Sequence, residues 1–227
     1  MITRALRPLR AVIFDMDDTL FDEMQFVSGG FRAVSALVAE ACQTPAEQIY
    51  DRLLAILSRH GRGRTFDLLL QEFHLEGKIS VDRLVNVYRS HVPRLTLYDD
   101  ARCLLGALKR ERYRLGLLTD GDARVQRSKF SALGLEAYLD GAVFSDDHGC
   151  CKPSAVPYLA AGEKLGVPLS ESVYIGDNPH KDFVTARKLG MFTIRVLRGP
   201  YREVCLERSF EADARVNVLE EVLDVIS

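Results

Sequence analysis

Four short apolar runs, each stopping abruptly at a polar residue, constrain this chain more than any other feature. They are Ala11–Phe14 (AVIF) before Asp15, Arg114–Leu118 (RLGLL) before Thr119, Ser172–Ile175 (SVYI) before Gly176-Asp177, and Phe192–Leu197 (FTIRVL) before Arg198-Gly199. A weaker run, Gly141–Phe144 (GAVF), precedes Ser145. None alternates cleanly between apolar and polar residues, as expected of parallel strands covered on both faces. Helical patterns separate them at Asp100–Glu111, Asp122–Leu133, Ser154–Leu165 and Lys181–Leu189. Strand and helix in this alternation predict an α/β fold with a doubly wound parallel sheet. Pro157 is compatible with the third helix if that helix starts near Ser154. It then falls in the first turn, where its missing N–H has no partner to lose.

The stretch 23–96 reads as helices only. Phe31, Val34, Leu37, Val38 and Ala41 form one stripe at helical spacing, and Ile49, Leu53, Ile56 and Leu57 a second. Phe66, Leu69, Leu70 and Phe73 make a third, and Val81, Leu84, Val85 and Tyr88 a fourth. Thr44-Pro45-Ala46-Glu47 has the pattern of a capping box with proline at the first helical position. An all-helical domain is therefore predicted within 23–96, inserted into a core made of 1–22 and 97–227. With 227 residues, 47% of them apolar, the chain can fill both cores.

Charge and cysteine content narrow the function class. A net charge of −2 gives no global push toward nucleic acid or an anionic membrane. No apolar run approaches the ~20 residues of a membrane span. The opening MITRALRPLR is basic, but no signal-peptide apolar region follows it. The five cysteines (Cys42, Cys103, Cys150, Cys151 and Cys205) are odd in number and lack paired metal spacing. Free thiols in a reducing cytoplasm are the expectation. The adjacent Cys150 and Cys151 read as small packing residues, and His180 as a solvated loop histidine. A cytoplasmic protein is the expectation, with monomer and homodimer both left open.

In an open α/β sheet, ligands bind outside the carboxyl ends of the strands. Those ends carry Asp15-Met16-Asp17, Thr119-Asp120-Gly121 and Gly176-Asp177, with Asp182 five residues on and Lys152-Pro153 after the weak run. Like charges this close repel and raise one another's pKa. A cluster of carboxylates without a cysteine or histidine set suits a hard, oxygen-seeking cation, of which Mg²⁺ is the usual one. Mg²⁺ keeps waters and favours a partner phosphate, whose charge a lysine can balance and whose oxygens a hydroxyl and backbone N–H groups can hold.

These motifs, DMDDTLFD, LLTDG, CKP and GDNPHKD, resemble in order the four motifs of the haloacid dehalogenase superfamily of hydrolases, and the resemblance extends to the helical cap after the first motif. It implies that Asp15 is a nucleophile forming an aspartyl-phosphate. Asp17 then protonates the leaving oxygen and later activates water. Residues two apart on extended backbone point the same way, as that pairing requires. Thr119 binds the phosphoryl oxygens, with Asp120 beside it where many relatives carry asparagine. Lys152 neutralises Asp15 and the phosphate. Asp15, Asp177 and the carbonyl of Asp17 hold Mg²⁺, and Asp182 orients its waters or Lys152. Asp18 and Asp22 are ranked as loop acids. In the cap, Ser58–Phe66 (SRHGRGRTF) is a flexible basic loop whose Arg62 and Arg64 are candidate contacts to the leaving group. The cap would hinge near Phe21–Glu23 and Val92–Leu97.

The resemblance implies a Mg²⁺-dependent phosphatase for a small phosphate monoester, a sugar phosphate or a nucleotide. A sugar phosphomutase resembling β-phosphoglucomutase would keep the same acids. A dehalogenase would not need Asp17. A phosphonatase would need a reactive cap lysine, and Lys78 is the sole lysine there. A non-catalytic phosphate-binding module is the alternative outside enzymes.

Overall fold

The structure, a computed structural model, describes residues 8–226, so most of the basic opening segment lies outside the described residues. The chain divides into two compact units, with Met24–Arg94 forming the second and the flanking residues the first.

The first unit is built on a sheet that, among the described residues, has six parallel strands: β1 (Ala11–Phe14), β2 (Arg114–Thr119), β3 (Gly141–Phe144), β4 (Ser172–Gly176), β5 (Phe192–Val196) and β6 (Ala214–Val216). Their order across the sheet is β3-β2-β1-β4-β5-β6. Every residue of β1 is fully buried, which explains a run without polar alternation. Helices α5 (Asp99–Arg110), α6 (Ala123–Ala132), α7 (Ala155–Leu165), α8 (Phe183–Lys188) and α9 (Val222–Ile226) complete the unit, after α1 to α4 of the second. One face of the sheet packs a core that includes Ile13, Leu118, Tyr158, Tyr174 and Phe183. Asp122 caps α6 by accepting from the N–H groups of Arg124 and Val125, and Ser154 caps α7 through Val156. Pro157 accordingly lies in the first turn of α7.

The second unit contains α1 (Met24–Cys42), α2 (Ala46–His60), α3 (Thr65–Glu72) and α4 (Val81–Ser90). Val34, Val38, Ile49, Leu53, Leu69 and Leu84 are fully buried in its core. Ala41, expected on that apolar stripe, is exposed near the end of α1. The expected capping box does not form. Pro45 occupies the N-cap position without a side-chain bond, and the Thr44 hydroxyl turns back to the carbonyl of Cys42. Glu47 instead pairs with Arg32 of α1 at 3.3 Å.

A strand was also missed. Ala214–Val216 pairs with Ile194–Val196 at the sheet edge, a three-residue element too short to show in apolar pattern.

Candidate active site

Strand order decides where a ligand can sit. The chain leaves β1 toward β2 on one side and later returns to β4 on the other, so the helices that follow these strands lie on opposite faces. A crevice opens beyond the carboxyl ends of β1 and β4, the switch point of the sheet. Asp15 is the first residue past β1, and its N–H continues the pairing to Ile175 of β4 at 2.8 Å. Asp177 is the first residue past β4.

Around these two acids the structure gathers a buried cluster. One carboxylate oxygen from each of Asp15, Asp177 and Asp182 lies within 4.8 Å of the others. The Lys152 ammonium is wholly buried among them, 2.7 Å from Asp15 Oδ1, 2.7 Å from Asp182 Oδ1 and 2.9 Å from the Tyr174 hydroxyl. Its three donors thus meet three oxygens. Burial works against the charge of Lys152, yet the carboxylates of Asp15 and Asp182 raise its pKa well above the ordinary lysine value. Burial, then Asp15 and Asp182, push the Asp177 carboxyl up to about 9. Three acids, Asp15, Asp177 and Asp182, thus share one buried ammonium. Three crowded oxygen donors with surplus negative charge fit a hard divalent cation.

Asp182 occupies the N-cap position of α8, but its side chain makes no cap bond there. It turns instead to Lys152 and to the N–H of Asn178 at 3.0 Å. Gly176 makes this possible, because a Cβ on it would lie 2.5 Å from Asp182 Oδ2. The Tyr158 hydroxyl reaches the carbonyl of Asp182 at 2.9 Å and fixes the turn from below. Arg195 of β5, also buried, donates to the carbonyl of Asp177 at 3.3 Å and is held by Glu211 at 2.9 Å.

Asp17 stands apart from the carboxylate group. Its Oδ1 accepts from Lys129 at 2.7 Å and its Oδ2 from Gln126 at 2.8 Å. Burial raises its pKa, Lys129 opposes the rise, and Glu23 adds to it. Thr119 is buried and accepts from the same Gln126 amide at 2.6 Å. Asp120 does not cap α6. It accepts from the N–H of Lys152 at 3.1 Å and from the Lys181 ammonium at 3.3 Å. Burial would raise its pKa, but Lys152 and Lys181 outweigh burial and hold it low.

Asp18, ranked as a loop acid, is corrected to a buried one. It takes a left-handed backbone (φ 53°) and accepts from the N–H of Glu23 at 3.1 Å. Cys151 is exposed and Cys150 half-buried, so neither is the packing residue expected. His180 is exposed and meets Tyr201 edge-on at 5.8 Å between ring centroids. In the second unit, Arg62 lines a cavity of about 300 Å³ with Phe31, Phe66, Tyr88 and Arg89, and Arg64 is exposed just before α3.

The model of haloacid dehalogenase-like hydrolases matches residues 9–190. The chain belongs to this hydrolase family. Among relatives, it is 30% identical over 226 residues to a glyceraldehyde 3-phosphate phosphatase of Methanopyrus kandleri, covering 96% of this chain and 97% of that one. It is 29% identical over 223 residues to the protein of the same name from Methanocaldococcus jannaschii, again with 96% and 97% covered. A solved HAD phosphatase from Thermococcus onnurineus superposes with a TM-score of 0.66 at 25% identity, covering 96% of this chain and 98% of that one. The hydrolase family thus accounts for the α/β core and the helical insertion alike.

Gln126, Lys129 and Tyr174 are site residues that the sequence reading missed. The signal for the first two was a buried stripe on α6 in which Val125 is accompanied by Gln126 and Lys129. Polar residues on an apolar face mark a partner elsewhere in the fold.

Proposed function

We infer that this chain hydrolyses a small-molecule phosphate monoester, with Asp15 as the nucleophile. The observation that carries the reading is the buried group of Asp15, Asp177 and Asp182 with Lys152 at 2.7 Å from two of them. Phosphoryl transfer asks a protein mainly for positioning and for charge compensation, and this group supplies both.

In this reading an oxygen of Asp15 attacks phosphorus in line, and the bond from phosphorus to the ester oxygen breaks. Asp17 gives that oxygen its proton. A water then attacks the aspartyl-phosphate, Asp17 takes a proton from it, and inorganic phosphate leaves with Asp15 restored. Thr119 and adjacent backbone N–H groups hold the phosphoryl oxygens, with Asp120 at the edge of that pocket. Lys152 keeps Asp15 and the incoming phosphate compatible. Asp15, Asp177 and the main-chain carbonyl of Asp17 would hold Mg²⁺, with Asp182 aligning Lys152 and the ion's waters. When bound, the ion would neutralise phosphoryl charge during transfer. Met24–Arg94 is the cap, and its Arg62 and Arg64 contact the anionic or hydroxyl-rich part of the ester.

The names of the relatives put three-carbon phosphates beside sugar phosphates and nucleoside monophosphates as substrates to try. The test is release of free phosphate from a metabolite panel with Mg²⁺, with EDTA, and with Asp15→Asn. Release that needs the metal and disappears in the variant is expected. Turnover by Asp15→Asn, or turnover indifferent to EDTA, overturns the reading. An isomerised sugar phosphate without free phosphate would identify a mutase instead.

A further inference from the structure

Asp17 is gripped at both carboxylate oxygens by two side chains of one helix. Lys129 Nζ lies 2.7 Å from Oδ1, and Gln126 Nε2 lies 2.8 Å from Oδ2. Both residues sit on α6, three apart and hence on one face. Lys129 is 3% exposed and Gln126 2%, although lysine is almost never this buried without a specific partner. The Gln126 amide bridges further, donating to Thr119 Oγ1 at 2.6 Å. Lys129 also comes within 3.7 Å of Glu23. The two residues therefore tie the carboxyl of Asp17 to the hydroxyl of Thr119 through a single helix face. A rigid element is a better anchor for such a geometry than the loop that carries Asp17 itself.

We propose that Gln126 and Lys129 are positioning residues that set the carboxyl of Asp17 against the phosphate held at Thr119, so that its proton is delivered to the leaving oxygen. This rests on reading Asp17 as the proton donor. Each carboxylate oxygen has two lone pairs, so a bond from the clamp leaves room for the proton that Asp17 must carry. A mere structural pair would affect all esters alike. A device that aims a proton matters most where the leaving group needs one.

The experiment compares kcat/KM for 4-nitrophenyl phosphate and phenyl phosphate in Lys129→Met, Gln126→Leu and Asp17→Asn. This parameter reports the transfer to Asp15 and excludes the later hydrolysis of the intermediate. Phenol has a pKa of about 10, as tyrosine does, and leaves poorly without protonation, whereas 4-nitrophenolate leaves readily. The loss on phenyl phosphate is expected to exceed the loss on 4-nitrophenyl phosphate by about 10-fold or more in all three variants, within the span that a positioned acid supplies. Gln126→Leu removes no charge and decides the matter if Lys129→Met does not fold. Equal losses on the two esters in the clamp variants, beside a selective loss in Asp17→Asn, overturn the clamp alone. Equal losses in Asp17→Asn overturn the reading of Asp17 and the clamp with it.

Discussion

Replacing Asp18 by asparagine should stabilise the protein, and only above about pH 4. Asp18 is buried, and burial raises its pKa from 3.8 to about 6. The bond from the N–H of Glu23 offsets part of that rise, while the charges of Glu23, Asp17 and Asp22 add to it. The sign follows from proton counts. Below pH 4 the carboxyl is protonated in both folded and unfolded chains and contributes no pH dependence. Between about 4 and 6 the folded chain keeps a proton that the unfolded chain releases, so stability falls as pH rises. Above 6 both are ionised, and the full difference of about two units, or about 3 kcal/mol, weighs against the fold. Asparagine removes this cost and keeps the rest. It tolerates the left-handed backbone at φ 53°, and its amide oxygen can accept from Glu23. It also keeps the volume of a tight site, where a Cβ on Gly199 would lie 2.7 Å from that of Asp18. For a chain of this size, 1 kcal/mol moves the melting temperature by about 2–4 °C. The variant is thus expected to melt about 6–12 °C above the parent at pH 8 and within about 1 °C of it at pH 3.5. Thermal melts at both pH values, in EDTA, measure the difference directly, because other titrating acids are common to both proteins. A difference that does not grow with pH, or that grows with the opposite sign, refutes the argument.

Two further outcomes follow from the same geometry. Lys152→Met leaves Asp15 and Asp182 buried without their ammonium, and should cost about 3–5 kcal/mol in a chemical denaturation curve. It should also lower kcat by at least about 10²-fold in a phosphate-release assay. Arg62→Ala or Arg64→Ala should raise KM for a metabolite ester by about 10-fold, the worth of one charge-assisted bond, and raise it less for 4-nitrophenyl phosphate. Equal effects on the two esters count against a substrate role for these arginines.

What the sequence disclosed, and what it withheld, divides along physical lines. β1, β2, β4 and β5 were legible because strands covered on both faces are apolar over most of their length and do not alternate with polar residues. The acids at their ends were legible for the same reason, since an abrupt change from apolar to charged marks the edge of a buried layer. β6 escaped because three residues at a sheet edge leave no periodicity. Gln126 and Lys129 escaped because their partners, Asp17 and Thr119, meet them only through the fold. Asp18 was misjudged because its burial comes from the return of the chain near Gly199, far away in sequence. Pro45 obeyed local preference by one position less than expected, and tertiary pairing of Glu47 with Arg32 took up the side chain that a capping box would have used.

The place of β1 in the sheet bears on how the molecule is made. A ribosome delivers residues 11–14 first, yet the strands that flank them begin only at residues 114 and 172. An oily segment must wait while the whole of Met24–Arg94 is synthesised, and Asp15 waits with it. Assembly of the crevice between β1 and β4 is therefore among the late events of biogenesis, and a nascent chain arrested before β4 would carry Asp15 without Asp177 and Asp182 beside it.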